Sequence, residues 1–375
     1  MRVTIDRDAL ADAVAWTTRV LPGRPALPVL AGILLDASDS GSGTLEFACF
    51  DYEVSARCDA PAAVAEPGRV LVQGRLLADI ARTLPAGEVS LALEGGKAVV
   101  RCGAARFALP VMPVEDYPQL PAPPEPAGTV PGDVFATAVA QVAIAAARDE
   151  TPPVLTAVKI EVEGGNVSLV ATDRYRLSLR DFAWSPGRPA DSRSLLVRSR
   201  TLHDIARSLG PGEVTIGLDP EGGSLLGIGA NGRRTTVPTM DGEYPPVRKL
   251  LPTSSQTLAT VDTAALVDGV RRVALVGDRS PVRLSFSDGE VLLETGTGED
   301  AQASDTVPAD VAGPDITVAF NGAYLLDGLG AVQSPVVRFS FTEPTKAALL
   351  TGHTSADDAD PHGFTYLLMP IRLAA

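Results

Sequence analysis

The chain consists of three similar segments, and this repetition constrains its fold more than any single motif. A Leu-x-Asp triplet within a short helical pattern occurs at residues 77–79, 202–204 and 325–327. A valine that opens an apolar run lies ten residues after each aspartate, at Val89, Val214 and Val337. Repeats of about 20–50 residues are typical of solenoids, whereas this period is about 120 residues. The spacing predicts three similar domains, here called the first, second and third repeats.

Each repeat shows the same order of helix, strands, helix and strands. The second helix carries the Leu-x-Asp triplet, and Gly-rich turns separate the alternating strands that surround it. Amphipathic patterns predict the first helix of each repeat at residues 7–20, 132–147 and 262–275. Asp6, Asp133 and Asp262 lie where helix N-caps are preferred.

Proline-rich and polar segments between the repeats are typical of linkers. The fold class is therefore predicted as α+β, with three similar domains that each hold two helices and antiparallel sheets. The predicted boundaries are residues 1–121, 130–250 and 256–375. Such domains can join edge to edge, which would cover the strand edges that otherwise invite aggregation.

The motifs for catalysis and cofactor binding are weak. Gly227, Gly229 and Gly232 match G-x-G-x-x-G, but a strand that ends in Pro238 follows where a nucleotide loop needs a helix. A β-hairpin turn is the favoured interpretation. The acidic stretch at residues 357–362 lacks the Gly and Glu of a calcium loop and is interpreted as a solvated loop.

The three cysteines, Cys49, Cys58 and Cys102, form no close C-x-x-C pair. Their odd number and their apolar surroundings predict small core residues rather than disulfides or zinc ligands. We therefore expect a non-enzymatic binding or scaffold protein with no metal and no cofactor. A nucleotide-binding oxidoreductase that uses the Gly227 loop is a minor alternative.

The net charge of −14 argues against tight binding of nucleic acid. Arginines nevertheless gather on or beside the predicted helices, while acidic residues concentrate in turns. If the helices face one shared opening, that opening is basic; the alternative is that these arginines are ordinary solvated helix residues. The second helix of the first repeat carries Arg75 and Arg82, that of the second repeat carries Arg198, Arg200 and Arg207, and the first helix of the third repeat carries Arg271 and Arg272. Arg24 and Arg148 follow other helices. No apolar run reaches the roughly 18 residues of a membrane helix, so a cytoplasmic location is the default expectation.

Five motifs, in order and suitably spaced, resemble those of the β sliding clamp of bacterial DNA polymerase III. They are RPALPVL at 24–30, ATDRYRL at 171–177, DGEYP at 241–245, FTEPTK at 341–346 and YLLMPIRL at 366–373. The Ala- and Arg-rich, acidic composition is similar to that of actinobacterial members. The resemblance implies a non-catalytic processivity factor, a head-to-tail homodimer that surrounds double-stranded DNA without sequence preference. A specialised clamp paralogue is the alternative within the same family.

The resemblance also implies a groove that receives a short linear motif from the DNA polymerase III alpha subunit, the clamp loader and other clamp-motif proteins. The matching positions are Leu155, Thr172, Arg174, Tyr175, Arg176, Leu177, Pro245, Lys249, Leu250, Met369, Pro370, Ile371 and Arg372. Leu, Met and Pro suit an apolar floor, and Thr and Arg can orient a peptide. The alternative is that Leu155, Leu177 and Met369 are simply core residues.

The dimer contact implied by the resemblance joins the first repeat of one chain to the third repeat of the other. Phe107 and Leu109 are matched against Ala274 and Leu275. Among the arginines, Arg24 matches a DNA-contact position, and Arg148 lies beside a loop in which residues 151–153 read Thr-Pro-Pro.

Overall fold

In the computed structural model, the described residues are 1–38, 41, 43–149, 152–187, 192–219, 223–276, 281–296, 301–358 and 363–372. The chain divides into two compact units. Unit 1 comprises residues 1–132, 185–188 and 207–239, and unit 2 comprises residues 133–184, 189–206 and 240–375. The Thr-Pro-Pro loop and the motif at 366–373 lie partly outside the described residues, as does the acidic stretch at 357–362, of which residues 359–362 are not described.

The described chain contains six α-helices, two for each repeat. They are α1 (Arg7–Thr17), α2 (Gly74–Thr83), α3 (Gly132–Ala143), α4 (Ser199–Ser208), α5 (Thr263–Ala274) and α6 (Gly322–Val332). Asp6 and Asp262 cap α1 and α5 through their carboxylates, as predicted. Asp133 lies inside the first turn of α3 because that helix already begins at Gly132, so its predicted N-cap role is wrong.

The strands account for most of the remaining described chain. They are β1 (Arg2–Asp6), β2 (Gly32–Asp36), β3 (Thr44–Phe50), β4 (Ser55–Glu66), β5 (Arg69–Gln73), β6 (Glu88–Glu94), β7 (Lys97–Cys102), β8 (Ala105–Met112), β9 (Pro126–Pro131), β10 (Ala157–Glu163), β11 (Asn166–Thr172), β12 (Arg176–Ala183), β13 (Ser185–Pro186), β14 (Arg193–Arg198), β15 (Glu213–Leu218), β16 (Leu225–Ala230), β17 (Arg233–Pro238), β18 (Thr257–Asp262), β19 (Val282–Ser287), β20 (Glu290–Thr295), β21 (Ala303–Ala312), β22 (Ile316–Phe320), β23 (Val336–Phe341), β24 (Ala348–His353) and β25 (Phe364–Leu368).

Unit 1 is built on one antiparallel sheet with the order β1-β6-β7-β8-β5-β2-β3-β4-β17-β16-β15-β9-β13. Strand β1 pairs with both β6 and β4, so the strands of the first repeat close into a circuit. Helices α1 and α2 pack on each other beside this sheet. The core contains Leu10, Val14, Phe47 and Leu77, each at most 1% exposed. The sheet then continues into the second repeat where β4 pairs with β17.

Unit 2 is built on a second antiparallel sheet with the order β14-β10-β11-β12-β25-β24-β23-β18-β21-β20-β19-β22. Here the second repeat joins the third where β12 pairs with β25. Helices α5 and α6 pack on each other. The buried side chain of Gln141 on α3 donates a 2.7 Å hydrogen bond to the carbonyl of Ala331 on α6. The antiparallel ladders thus run across the joins between sequence repeats within each unit.

The repeat anchors lie in equivalent places. Leu77, Leu202 and Leu325 are buried on α2, α4 and α6, and the three valines that follow are buried on β6, β15 and β23. A helix buries a leucine stripe and a strand buries alternate residues, so the pattern specified the core contacts correctly.

Two motif interpretations are confirmed. The glycine motif forms the β16–β17 hairpin, whose turn residues Asn231 and Gly232 have positive φ values of 52° and 75°, as a type I′ turn requires. The three cysteines are buried and unpaired. Burial raises the pKa of the Cys58 thiol to about 11 and that of Cys49 further, so both remain protonated at neutral pH. No helix of the described chain is both long and apolar enough to cross a membrane.

Candidate partner-binding groove and arginine-bearing surfaces

All the predicted groove residues lie in unit 2, and residues 172–177 span the turn that joins β11 to β12. The Asp173 carboxylate accepts hydrogen bonds from the backbone N–H groups of Tyr175 and Arg176, both at 3.0 Å. The Thr172 hydroxyl donates to the Arg176 carbonyl at 2.6 Å and accepts from the Arg174 N–H at 3.1 Å. These bonds hold Arg174 at a φ of 79°, a conformation that costs a non-glycine residue about 1 kcal/mol or more.

The predicted floor of the groove is buried. Leu155 and Leu177 are 3% and 2% exposed and share one hydrophobic cluster with Tyr244, Val247 and Leu367. The Tyr244 hydroxyl accepts a 3.0 Å hydrogen bond from the Thr172 N–H, and burial raises the pKa of this phenol, so it stays neutral. The two leucines therefore support the surface from beneath.

Four large apolar side chains of the predicted groove are exposed and are here called the rim. Tyr175 is 60% exposed, Leu250 62%, Met369 43% and Ile371 40%. The Met369 N–H donates a 2.9 Å bond to the Tyr175 carbonyl, which joins two members of the rim directly. Large exposed apolar side chains are typical of surfaces that bind a partner.

The cations and prolines of the predicted site differ in exposure. Arg174, Lys249 and Arg372 are exposed, and Pro245 and Pro370 are half-buried. Lys249 and Leu250 belong to a 3-10 helix at Val247–Leu250. Arg248 in the same helix binds Glu161 of β10 at 3.0 Å and lies 3.6 Å from Asp181 of β12. This ion pair ties the helix that carries Leu250 to the sheet.

Arg176 differs from the other cations because it is buried, at 4% exposure. Its guanidinium binds Asp173 at 3.0 Å and Asp327 at 2.7 Å, and it lies 4.1 Å from the centre of the Tyr324 ring. Burial by itself lowers the pKa of Arg176, but its hydrogen bonds, led by that to Asp327, outweigh burial and raise the pKa. A side chain so enclosed cannot orient a peptide by direct contact.

The predicted DNA-facing arginines of unit 1 are Arg24, Arg75, Arg82 and Arg207, and all four side chains are exposed. Arg75 and Arg82 lie on α2. Arg75 donates to the Pro22 carbonyl at 3.3 Å, and Arg82 forms a 2.8 Å ion pair with Asp79. Arg24 and Arg207 form no ion pair with another described residue, so their charges are available to an anion.

In unit 2, Arg148 and Arg200 are also exposed without an ion pair among the described residues. Arg271 and Arg272 lie on α5 and face Asp268 at 3.8 Å and Asp305 at 2.7 Å. Hydrogen bonding to Arg272 lowers the pKa of Asp305. Arg198 ends strand β14 and is half-buried, which corrects the expectation that it lies on the second helix of its repeat.

The predicted dimer residues differ in accessibility. On β8, Phe107 is half-buried, whereas Leu109 is 2% exposed and packs in the unit 1 core. At the end of α5, Ala274 is half-buried, and Leu275 is 84% exposed. Strand β8 pairs with β7 along residues 105–110 and with β5 only at residues 111–112, which leaves part of one edge unpaired among the described strands.

Family models of the DNA polymerase III beta subunit match the chain in three consecutive stretches. The N-terminal domain model matches residues 1–121, the central domain model 129–246 and the C-terminal domain model 248–372. The chain belongs to the β sliding clamp family. The resemblance found in the sequence and the predicted α+β clamp fold are thereby confirmed.

Relatives of this clamp are similar over its whole length. The beta sliding clamp of Streptomyces coelicolor is 50% identical, with all of both chains covered. The beta sliding clamp homolog GriR of Streptomyces muensis is 40% identical over 99% of both chains. A DNA polymerase sliding clamp from Bacillus subtilis is 25% identical with a TM-score of 0.90, and one from Pseudomonas aeruginosa, solved bound to griselimycin, is 27% identical with a TM-score of 0.90; both cover the full chain and are fully covered by it. The actinobacterial resemblance is supported by the first of these matches.

Sequence reasoning missed several groups that contact the predicted groove residues or their neighbours. Asp173, Tyr244, Arg248 and Asp327 contact groove residues or their neighbours but were not included in the predicted site. Asp173 and Tyr244 lie inside quoted motifs, and Asp327 is a repeat anchor, so each carried a signal. The sequence did not indicate which residues these groups contact, because those residues come together only in the folded chain.

Proposed function

We propose that this protein is a processivity clamp, a non-catalytic subunit of the DNA polymerase III holoenzyme. Two chains close head to tail into a ring around duplex DNA and tether the replicative polymerase to it. The observation that carries the proposal is the match of three consecutive clamp domains across residues 1–372. We assign the domains to residues 1–121, 130–250 and 256–375, and place the protein in the cytoplasm with the replication machinery.

We assign the predicted DNA-facing arginines to loose, sequence-independent contact with phosphates. A protein that slides must attract phosphate weakly, because each neutralised phosphate adds affinity and salt dependence. Ion pairs at Arg82, Arg271 and Arg272 reduce the free positive charge, which suits this requirement. Arg24, Arg75, Arg148, Arg198, Arg200 and Arg207 complete the assigned set.

The unit 2 groove is assigned to short linear motifs of the polymerase alpha subunit, the clamp loader and other clamp-motif proteins. Support comes from the exposed apolar rim of Tyr175, Leu250, Met369 and Ile371 above a buried floor. An extended peptide can bury apolar side chains against such a rim, while the neighbouring cations contact its polar groups. The prolines Pro245 and Pro370 complete the wall.

The homodimer contact is assigned to Phe107 and the edge of β8 in one chain, and to Ala274 and Leu275 in the other. The unpaired part of the β8 edge and the 84% exposure of Leu275 support this assignment. Pairing between chains would cover the β8 edge and Leu275. Leu109 would support this contact indirectly, by packing in the core beneath β8.

The test of the clamp function is topological. Protein loaded by the clamp loader onto a nicked circular plasmid is separated from free protein by gel filtration, and the plasmid is then cut once. A sliding ring should leave the linear DNA within minutes but remain where both ends are blocked by bound protein. Retention on unblocked linear DNA equal to that on the circle would contradict the proposal.

A specialised clamp homologue is the second candidate. The chain is 50% identical to the beta sliding clamp of Streptomyces coelicolor and 40% identical to the homolog GriR. The higher identity to the beta sliding clamp than to the homolog GriR favours an ordinary replicative clamp over a specialised one. Rescue of a strain depleted of its own clamp separates the two candidates.

A further inference from the structure

The buried Arg176 links two carboxylates that come from different parts of unit 2. Its Nε donates to Asp173 in the β11–β12 turn at 3.0 Å, and its Nη1 donates to Asp327 on α6 at 2.7 Å. The Tyr324 ring of the same helix lies against the guanidinium at 4.1 Å. Charge-assisted hydrogen bonds of this length are among the stronger polar contacts in proteins. Helix α6 is therefore attached to the turn through one arginine.

Further hydrogen bonds connect the turn to the exposed rim of the groove. The other oxygen of Asp173 accepts from the Tyr175 and Arg176 N–H groups. The Tyr175 carbonyl then accepts from the Met369 N–H at 2.9 Å. A continuous series of hydrogen bonds thus runs from Asp327 to two of the four exposed apolar residues, although Asp327 lies outside the rim itself.

The first repeat contains the same turn without this attachment. Asp51 accepts from the Glu53 and Val54 N–H groups at 2.9 and 2.6 Å, and Tyr52 has a φ of 73°, close to that of Arg174. Val54 lies at the position that corresponds to Arg176 of the second repeat, and a valine side chain cannot form an ion pair with a carboxylate.

The repeat anchors equivalent to Asp327 also differ in their contacts. Asp79 pairs with Arg82 of its own helix, and Asp204 is exposed on α4. Among the three anchor aspartates, all of which lie in the described chain, only Asp327 of the third repeat pairs with a residue of such a turn.

We propose that Asp327 is a positioning residue for partner binding, acting through Arg176 and Asp173 to hold Tyr175 and Met369 in place. The inference rests on the proposed groove function. Asp327 makes no contact with the bound motif; it sets the geometry of the turn that does. Loss of its charge leaves Arg176 with one carboxylate and frees the turn to move.

The test measures binding of a fluorescein-labelled peptide copied from the clamp-binding motif of the polymerase alpha subunit. We expect Asp327→Asn to bind about tenfold more weakly, as the loss of one charge-assisted hydrogen bond implies. Asp204→Asn, the same change at the equivalent exposed position, should bind like wild type. Asp327→Glu, which keeps the charge, should recover most of the affinity.

Local amide hydrogen exchange separates positioning from general destabilisation. Asp327→Asn should speed exchange at residues 173–177 and 367–372 while the core strands of unit 2 exchange as in wild type. Equal peptide affinity for Asp327→Asn and wild type would overturn the inference. Absence of binding by wild type itself would instead contradict the proposed groove.

A second variant decides the matter if Asp327→Asn does not fold. Asp173→Asn keeps the side-chain oxygen that caps the turn, but its NH2 group cannot accept a hydrogen bond from the Arg176 Nε, so both this bond and the charge are lost. We expect it to weaken peptide binding about threefold, since the contact between Arg176 and Asp327 remains. Unchanged affinity in this variant would equally overturn the inference.

Discussion

Arg176 and Met369 show how much the role of a residue depends on its exposure. Both belong to the positions implied by the family resemblance. Arg176 is 4% exposed and already bound to two carboxylates, whereas Met369 is 43% exposed and has its backbone held by Tyr175. Met is flexible and polarisable, which suits contact with varied ligands. Direct contact with a partner is therefore expected from Met369, and an indirect role from Arg176.

Met369→Ala is predicted to weaken binding of a clamp-motif peptide by about tenfold or more, because truncation removes an apolar contact worth about 2 kcal/mol. Fluorescence anisotropy measures the affinity. Leu93→Ala is a matched control, since Leu93 is 43% exposed on β6 and belongs to unit 1, whereas the predicted groove residues belong to unit 2. Equal peptide binding by Met369→Ala and wild type would remove the groove assignment.

At the scale of elements, short ionic contacts hold the segments that carry the groove. The 3-10 helix at Val247–Leu250 is attached to β10 by Arg248 and Glu161. Burial alone raises the pKa of Glu161, but hydrogen bonds from Lys159 and Arg248 outweigh it, so its pKa in the folded protein is lowered. A lowered carboxyl pKa means that the folded state favours the ionised form.

The stability that Glu161 contributes should therefore depend on pH. It is fully present above the ordinary glutamate pKa of about 4.3 and is lost as the pH falls through the lower folded-state value. At pH 7, Glu161→Gln should reduce the free energy of unfolding by about 1 kcal/mol. The difference from wild type should be smaller at about pH 3, because the protonated fraction of Glu161 rises as the pH approaches its lowered folded-state pKa. Urea unfolding at the two pH values measures it.

Glu163→Gln is the matched control for this prediction, because Glu163 is exposed on the same strand, β10. It should leave the free energy of unfolding nearly unchanged at both pH values. If Glu161→Gln behaves like Glu163→Gln at pH 7, the Arg248–Glu161 pair does not hold the 3-10 helix.

At the scale of the whole molecule, strand pairing explains why the repeats need one another. The β4–β17 and β12–β25 ladders join consecutive repeats, so strands that would be edges in an isolated repeat are covered. The edge of β8 is covered only in part among the described strands. A second chain is the expected cover in the proposed ring.

Leu275→Asp should weaken the homodimer, because it places a charge where 84% of an apolar side chain is open to a partner. Wild type should sediment at twice the chain mass of 38.9 kDa at micromolar concentration. The variant should shift toward monomer, with a dissociation constant raised about tenfold or more by the lost apolar burial. Leu93→Asp should remain dimeric. Wild-type protein that sediments only as monomer would contradict the head-to-tail dimer.

Local patterns predicted the elements well. The helix starts at Asp6 and Asp262, the hairpin at Asn231 and Gly232, and the buried cysteines all follow from capping, turn chemistry and alternation. The errors at Asp133 and Arg198 are displacements at the ends of elements, where strand and helix preferences compete over one or two residues.

The sequence by itself determined the three-fold repeat and the α+β class, because periodicity and turn chemistry act over a few residues. Only the tertiary structure decided that Leu109 faces the core and that Arg176 is enclosed by Asp173 and Asp327. Arg176 and Asp327 are 151 positions apart in the sequence. A buried charge must be paired with an opposite charge. No local sequence pattern specifies which distant carboxylate will pair with a buried arginine.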